Sequence, residues 1–250
     1  RAHAIAASCA MMSILADVES LLPQSATVVA EYATRPWSAP LLCMAALLHD
    51  VGKPACHRRD VDDVIRFTGH PATGAAITAR ILQRLVWPAR VRDGAVGLVA
   101  HHMRVFELAR LAIEGGRAVV DVDQMISAGA IRRMFRQVPG HEPGLVLVAL
   151  ADSLASRGPA KHAGYDGALA TVCDQMLRRY VDYTTARAAR PLLTGSDLIS
   201  AGFQPGPLFS VLIEAVEHAR ADGTIQSRQQ ALDLARQIAE DGTRTEGAGQ

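Results

Sequence analysis

Apolar positions recur at helical spacing along almost the whole chain, and no stretch alternates apolar and polar residues as a half-buried strand would. The pattern predicts helices over about 1–22, 25–34, 39–50, 71–86, 89–103, 123–137, 144–157, 165–188, 195–201, 206–221 and 227–240. Local punctuation agrees. Pro71 suits a first helical turn, Pro88 stands beyond a helix end, Asp222-Gly223 closes one helix and Ser227 caps the next. The Gly, Asp and Pro residues collect at 51–69 and 114–122, which read as loops, and the Gly-rich stretch 242–250 reads as a frayed end. The expected fold class is all-α: a helical bundle over 1–189, a seam near Ala189-Arg190-Pro191 and a helical extension over 190–250.

Composition narrows the function. In 250 residues, 49% are hydrophobic and 20% charged, which excludes a disordered chain. A net charge of +1 argues against sequence-independent coating of nucleic acid, which needs many uncompensated cations. Cys9, Cys43, Cys56 and Cys173 form no CxxC pair and no disulfide rhythm, so a reducing cytoplasm is expected. No apolar run approaches the roughly 20 residues of a membrane helix, and the opening stretch lacks a signal-peptide layout. The chain starts at Arg1 and not at methionine, which leaves room for a preceding segment. Of 26 basic residues only Lys53 and Lys161 are lysines. Lys53 lies inside the strongest motif.

That motif is Leu47-Leu48-His49-Asp50-Val51-Gly52-Lys53-Pro54. An apolar helix delivers His49 and Asp50 at its buried end, where Gly-Lys-Pro breaks it. An imidazole nitrogen and a carboxylate can share one divalent cation, and the carboxylate can bridge two. An ionised Asp in apolar surroundings is expensive to bury without such a partner. On the dipeptide alone, a polar helix end explains the residues equally well. Three more sites share the character: His70 before Pro71, His101-His102 at the end of an apolar helix, and Asp152 after the apolar run Leu145 to Leu150. Four such sites in one chain point to a metal centre, and the histidine-rich set favours Mn, Fe, Ni or Zn over Mg.

The order His-Asp, His, His-His, Asp resembles the HD-domain metal-dependent phosphohydrolases. That resemblance implies an HD-domain bundle, with an early histidine, His49-Asp50 and a late aspartate, Asp152, on the first ion. The early histidine is His3, the alternative for it being a surface residue of a frayed end. His70, His101 and His102 then offer ligands to a second ion, with Asp50 bridging. A longer stretch resembles the HD-containing C-terminal half of bacterial tRNA nucleotidyltransferases and poly(A) polymerases. It comprises Phe67 to Pro71, Gly74-Ala75, His101-His102-Met103-Arg104, Pro191-Leu192-Leu193-Thr194-Gly195-Ser196-Asp197-Leu198-Ile199, Gly202 to Pro207, Asp222-Gly223 and Ala231-Leu232. By that resemblance 190–250 is a tail of the nucleotidyltransferase type. The α/β head of those enzymes has no counterpart here: Asp62-Asp63 and Asp121-Val122-Asp123 follow no Gly-Ser turn between strands, so nucleotide addition by this chain alone is not expected.

The expected activity is therefore hydrolysis of a nucleotide or RNA-terminal phosphate ester, either a phosphomonoester or a 2′,3′-cyclic phosphodiester. One or two divalent ions would activate a water for in-line attack. Asp50 and Lys53 are the candidate catalytic residues, and Lys53, Arg66, Arg104 and Arg157 the candidates for holding phosphate oxygens. For each arginine the alternative is an ordinary surface or ion-paired role. Two other functions fit the same residues: the C-terminal body of a CCA-adding or poly(A)-polymerase enzyme that contacts tRNA, and an RNA-binding accessory module working with a separate head.

Overall fold

The computed structural model describes residues 2–60, 62–118, 122–158, 161–189, 191–221 and 224–247. Asp121, Arg190 and Asp222-Gly223, which carry expectations above, lie outside them. The described residues divide into two compact units, one of residues 1–126 and 130–178, the other of 127–129 and 179–250. The division falls inside a helix after Arg178, earlier than the seam expected at Ala189.

The first unit is helical: α1 (Ala2–Ala16), α2 (Val18–Leu21), α3 (Ala26–Ala33), α4 (Ser38–Leu48), α5 (His70–Arg84), α6 (Ala89–Ala109), α7 (Val122–Met125), most of α8 (Ala128–Phe135), α9 (Glu142–Ala155) and the start of α10 (Tyr165–Ala189). In α9 every residue from Pro143 to Ala151 is buried, because α1, α3, α4 and α6 all pack on it. A helix apolar on every side has to be central. Helix α4, with Leu41, Leu42, Ala45, Ala46 and Leu48 buried, lies beside it. These two helices end in His49-Asp50 and close to Asp152, so the driest part of the unit delivers the candidate ligands.

Several boundaries differ from the periodicity. The first helix breaks at Asp17, whose side chain accepts from Ser20 N at 3.3 Å and starts α2. The helix expected over 123–137 divides into α7 and α8. Helix α6 runs on to Ala109, so His101 and His102 lie in its interior and not at its end; Met103 to Leu108 contains no breaker. The two expected loops each hold a two-residue hairpin: β1 (Arg58–Arg59) pairs with β2 (Ile65–Arg66), and β3 (Ile113–Glu114) with β4 (Arg117–Ala118). Strands this short leave no alternation to read.

The segment between α2 and α3 is tied to α10 by Asp174, which is 2% exposed. Its carboxylate accepts from Gln24 N and Ser25 N, each at 2.9 Å. Replacing it with alanine would bury two amide donors without an acceptor. Chemical denaturation of Asp174→Ala is expected to show a loss of about 3 kcal/mol. An unchanged midpoint would contradict this role.

The second unit contains the rest of α10, α11 (Gly195–Ser200), α12 (Leu208–Ala221) and α13 (Arg228–Gly247). Leu193, Leu198, Leu212, Val216, Ile225, Ala231 and Ala235 form its core. The Leu-Thr-Gly-Ser-Asp motif is a capping box. Thr194 Oγ1 accepts from Asp197 N at 3.3 Å, and Asp197 Oδ2 accepts from Thr194 N at 2.8 Å. Arg228 also pairs with Asp197, so the motif anchors this unit.

Candidate metal centre

Three histidines are held in the same way. His49 Nδ1 donates to Ala46 O at 2.7 Å, His70 Nδ1 to Phe67 O at 3.0 Å and His102 Nδ1 to Val99 O at 2.8 Å. Each acceptor is the carbonyl three residues earlier. A carbonyl can only accept, so Nδ1 carries a hydrogen in all three and Nε2 is left to take a proton or a metal. His49 and His102 are fully buried, and His70 nearly so.

The Nε2 atoms converge with two carboxylates. His3 Nε2 lies 3.2 Å from His49 Nε2, and Asp152 Oδ1 lies 3.1 Å from His3 Nε2 and 3.4 Å from His49 Nε2. Asp50 Oδ2 is 3.4 Å from His49 Nε2 and 3.7 Å from His3 Nε2. Its other oxygen, Oδ1, is 3.4 Å from His70 Nε2, which in turn is 3.4 Å from His102 Nε2. Asp50 thus turns one oxygen to each of two groups, one of His3, His49 and Asp152, the other of His70 and His102.

These spacings suit atoms that share one cation. Atoms about 2.1 Å from one cation in a tetrahedral or octahedral shell are roughly 3.0–3.4 Å from each other. The His70–His102 contact is the most diagnostic. Both rings spend their Nδ1 hydrogen on a carbonyl, so two Nε2 lone pairs face each other unless a proton or a cation lies between them. With Asp50 beside them, a divalent cation fits that gap.

The electrostatics agree. Burial opposes a charge on His49, but hydrogen bonds and the charges of Asp152 and Asp50 outweigh it and push its pKa up to about 10. Burial acts against the Asp50 carboxylate, yet His49 and Lys53 hold its pKa well below the usual carboxylate range. Asp152 is lowered too, burial again being overcome by His49. His102 is held neutral, its pKa lowered to about 4 chiefly by burial. The site concentrates the negative charge of Asp50 and Asp152 around His49.

Gly52 explains how the second group is positioned. A Cβ on Gly52 would lie 2.2 Å from His70 O and 2.6 Å from Gly74 N, so the 3₁₀ turn Lys53–Cys56 rests directly on the start of α5. Lys53 Nζ is 2.6 Å from Asp50 Oδ2 and 5.7 Å from the centroid of the Phe67 ring.

Other candidates are placed elsewhere. His101 follows the helix about 100° away from His102 and joins no metal-binding group among the described residues. Arg66 is exposed and paired with Asp60 at 2.5 Å, and Arg104 is exposed and paired with Glu107 at 2.6 Å. Arg157 is exposed just past the end of α9. Lys161, not among the candidates above, supports the helix that carries Asp152. Its ammonium is 2.6 Å from Asp166 Oδ1 and donates to the carbonyls of Ser153 and Ser156, capping the end of the helix that carries Asp152. Its rarity in an arginine-rich chain was the available signal.

The HD domain family model matches residues 24–157, a span that holds all the candidate ligands except His3. An A-adding tRNA nucleotidyltransferase of Deinococcus radiodurans is 32% identical over 209 residues, covering 83% of this chain and 44% of that protein. A CC-adding tRNA nucleotidyltransferase of Thermus thermophilus is 32% identical over 191 residues, covering 75% of this chain and 38% of the relative. The chain spans less than half the length of these relatives. No helix among the described residues is long and apolar enough to cross a membrane. The chain belongs to the HD domain family.

Proposed function

We propose that this chain is a metal-dependent phosphohydrolase acting on a nucleotide or RNA-terminal phosphate ester. The observation that carries the reading is the divided Asp50 carboxylate, one oxygen toward His49 and the other toward His70. His3, His49, Asp50 and Asp152 would hold one divalent ion, and Asp50, His70 and His102 a second. When bound, such ions supply Lewis acidity at the phosphoryl oxygens and a water acidified for attack. The protein's own part is positional. The three backbone carbonyls fix the imidazole rings, and Gly52 lets the turn seat His70 against Asp50. Lys53, restrained by Asp50 and Phe67, offers an ammonium to a phosphate oxygen at the edge of the site.

Metal uptake competes with protons here. His49 must lose the proton that Asp152 and Asp50 hold on it, so loading with Mn²⁺ or Zn²⁺ at pH 7 is expected to release about one proton per chain at the first group. Calorimetry in buffers of different ionisation enthalpy measures it; an enthalpy independent of buffer contradicts it. In the metal-free chain His49 stabilises the fold below its ordinary value of 6.5, and that contribution is lost as pH rises toward 10. The lowered Asp50 and Asp152 stabilise above their ordinary value of 3.8, and their contribution is lost as pH falls below it. Saturating metal should abolish this fall between pH 6.5 and 10, since a metal-bound His49 carries no proton and the unfolded one has already lost its own. Melting curves with and without metal test this.

A second reading follows from the relatives, whose names describe addition to tRNA. In it the chain is a body that contacts tRNA for a nucleotidyltransferase. Catalysis separates the readings: turnover of p-nitrophenyl phosphate or 2′,3′-cAMP, dependent on added divalent metal, supports the hydrolase. Tight tRNA binding with no turnover under any metal supports the body.

A further inference from the structure

A second cavity, of about 870 Å³, opens in the first unit at the opposite end of α4 from the metal centre. Its lining includes Tyr32, Arg35, Trp37, Arg90, Val138 and His141. We propose that it is a binding site for a nucleoside monophosphate, with the base against Trp37 and the phosphate between Arg35 and Arg90.

Each part of such a ligand has a counterpart. The base meets aromatic and apolar surface: Trp37 is 47% exposed, its ring lies 5.7 Å from that of Trp87, and Leu41 and Val138 line the wall. Trp37 lines the cavity, and the chain's other tryptophan, Trp87, packs against it from outside the lining. Trp37 adopts φ +71°, a left-handed conformation costly for a bulky residue, and that conformation places the indole at the head of α4. The polar floor is the hydrogen bond of Tyr32 Oη with His141 Nδ1, at 2.9 Å.

The phosphate meets two guanidinium groups. Arg35 stands over the Tyr32 ring at 5.4 Å, and one of its nitrogens donates to Gly140 O at 3.2 Å, which fixes it at the rim and leaves its other donors open. Arg90 is exposed in the first turn of α6. Both are near enough to His141 to disfavour a proton on it, adding to the effect of burial. The N-caps of α4, α6 and α9 are Trp37, Pro88 and His141; all three line the cavity, and none uses its side chain as a cap. Three helix starts thus add amide dipoles of the sign that attracts phosphate. Of the acids, Asp93 itself lines the cavity but is paired with Arg92 at 3.2 Å, and Glu142 lies one residue beyond His141. Cavities of this size hold ligands of nucleotide size.

The two tryptophans make intrinsic fluorescence a local reporter. Titration of the whole chain with AMP, in EDTA so that the metal centre takes no part, is expected to give a saturable change in tryptophan emission below about 1 mM. Arg90→Ala, a surface substitution, should weaken AMP by about tenfold, the effect of one lost charge-assisted hydrogen bond, and leave adenosine binding unchanged. Metal uptake by Arg90→Ala should match the wild type. No saturable change with AMP would overturn the proposal, as would equal AMP affinity in Arg90→Ala. If inorganic phosphate saturates as well as AMP, the base has no role and the proposal also fails.

Discussion

Asp50→Ala is expected to abolish the second metal-binding group and to reduce any metal-dependent hydrolysis by about a thousandfold or more. The reason is that one side chain serves both groups. Oδ2 belongs with His49 at 3.4 Å and Oδ1 with His70 at 3.4 Å, so a single deletion removes a ligand from each. A bound cation contributes several kcal/mol to stabilising a phosphoryl-transfer transition state, which sets that magnitude. Lys53 also loses the partner that positions it. Asp50→Asn retains the shape and one acceptor, so it should keep the fold and still lose most of the activity. Metal content and turnover of the two variants are the measurements. Unchanged hydrolysis by Asp50→Ala with its metal content intact would remove Asp50 from the mechanism.

Gly52→Ala is expected to be the most damaging glycine-to-alanine change among the described residues. The added carbon would meet His70 O at 2.2 Å and Gly74 N at 2.6 Å, and both obstacles are backbone. Neither can rotate aside, so the turn and α5 must separate. The cost is about 3 kcal/mol, at the upper end for overpacking, and the separation carries His70 away from Asp50. Thermal melting should record the loss of stability, and metal titration the weakening of the second group. Gly69→Ala is the contrast. Nothing lies within 4 Å of its added carbon, although its φ of +83° carries a penalty of its own. Equal damage from both would show that backbone conformation, and not close approach, governs this segment.

Most helices were legible because apolar periodicity is strong in an all-α chain, and α4 and α9 were legible as central because they are apolar on every side. The hairpins were not: two residues per strand leave no alternation, and Asp60, accepting from Asp62 N and Val64 N at 3.0 Å each, makes the first turn locally. The residue types of the metal centre were readable, but their selection was not. His101 and His102 are equivalent in a string of letters, and only the direction of each around α6 separates them. The arginines fail for a related reason. With 24 of them, proximity in sequence to a ligand says little, and Arg66 and Arg104 are engaged with nearby acids. The second cavity was out of reach altogether, because its walls come from three separate stretches and the left-handed φ of Trp37 has no signature in composition.

The central claim is that Asp50 joins two cation-binding groups. Crystals of the protein grown with Mn²⁺ or Zn²⁺ and measured at the metal's absorption edge test it directly. The expected result is an anomalous peak among His3, His49, Asp50 and Asp152, with a second among Asp50, His70 and His102 when metal is in excess. Peaks confined to other residues, or no peak at saturating metal, would contradict it.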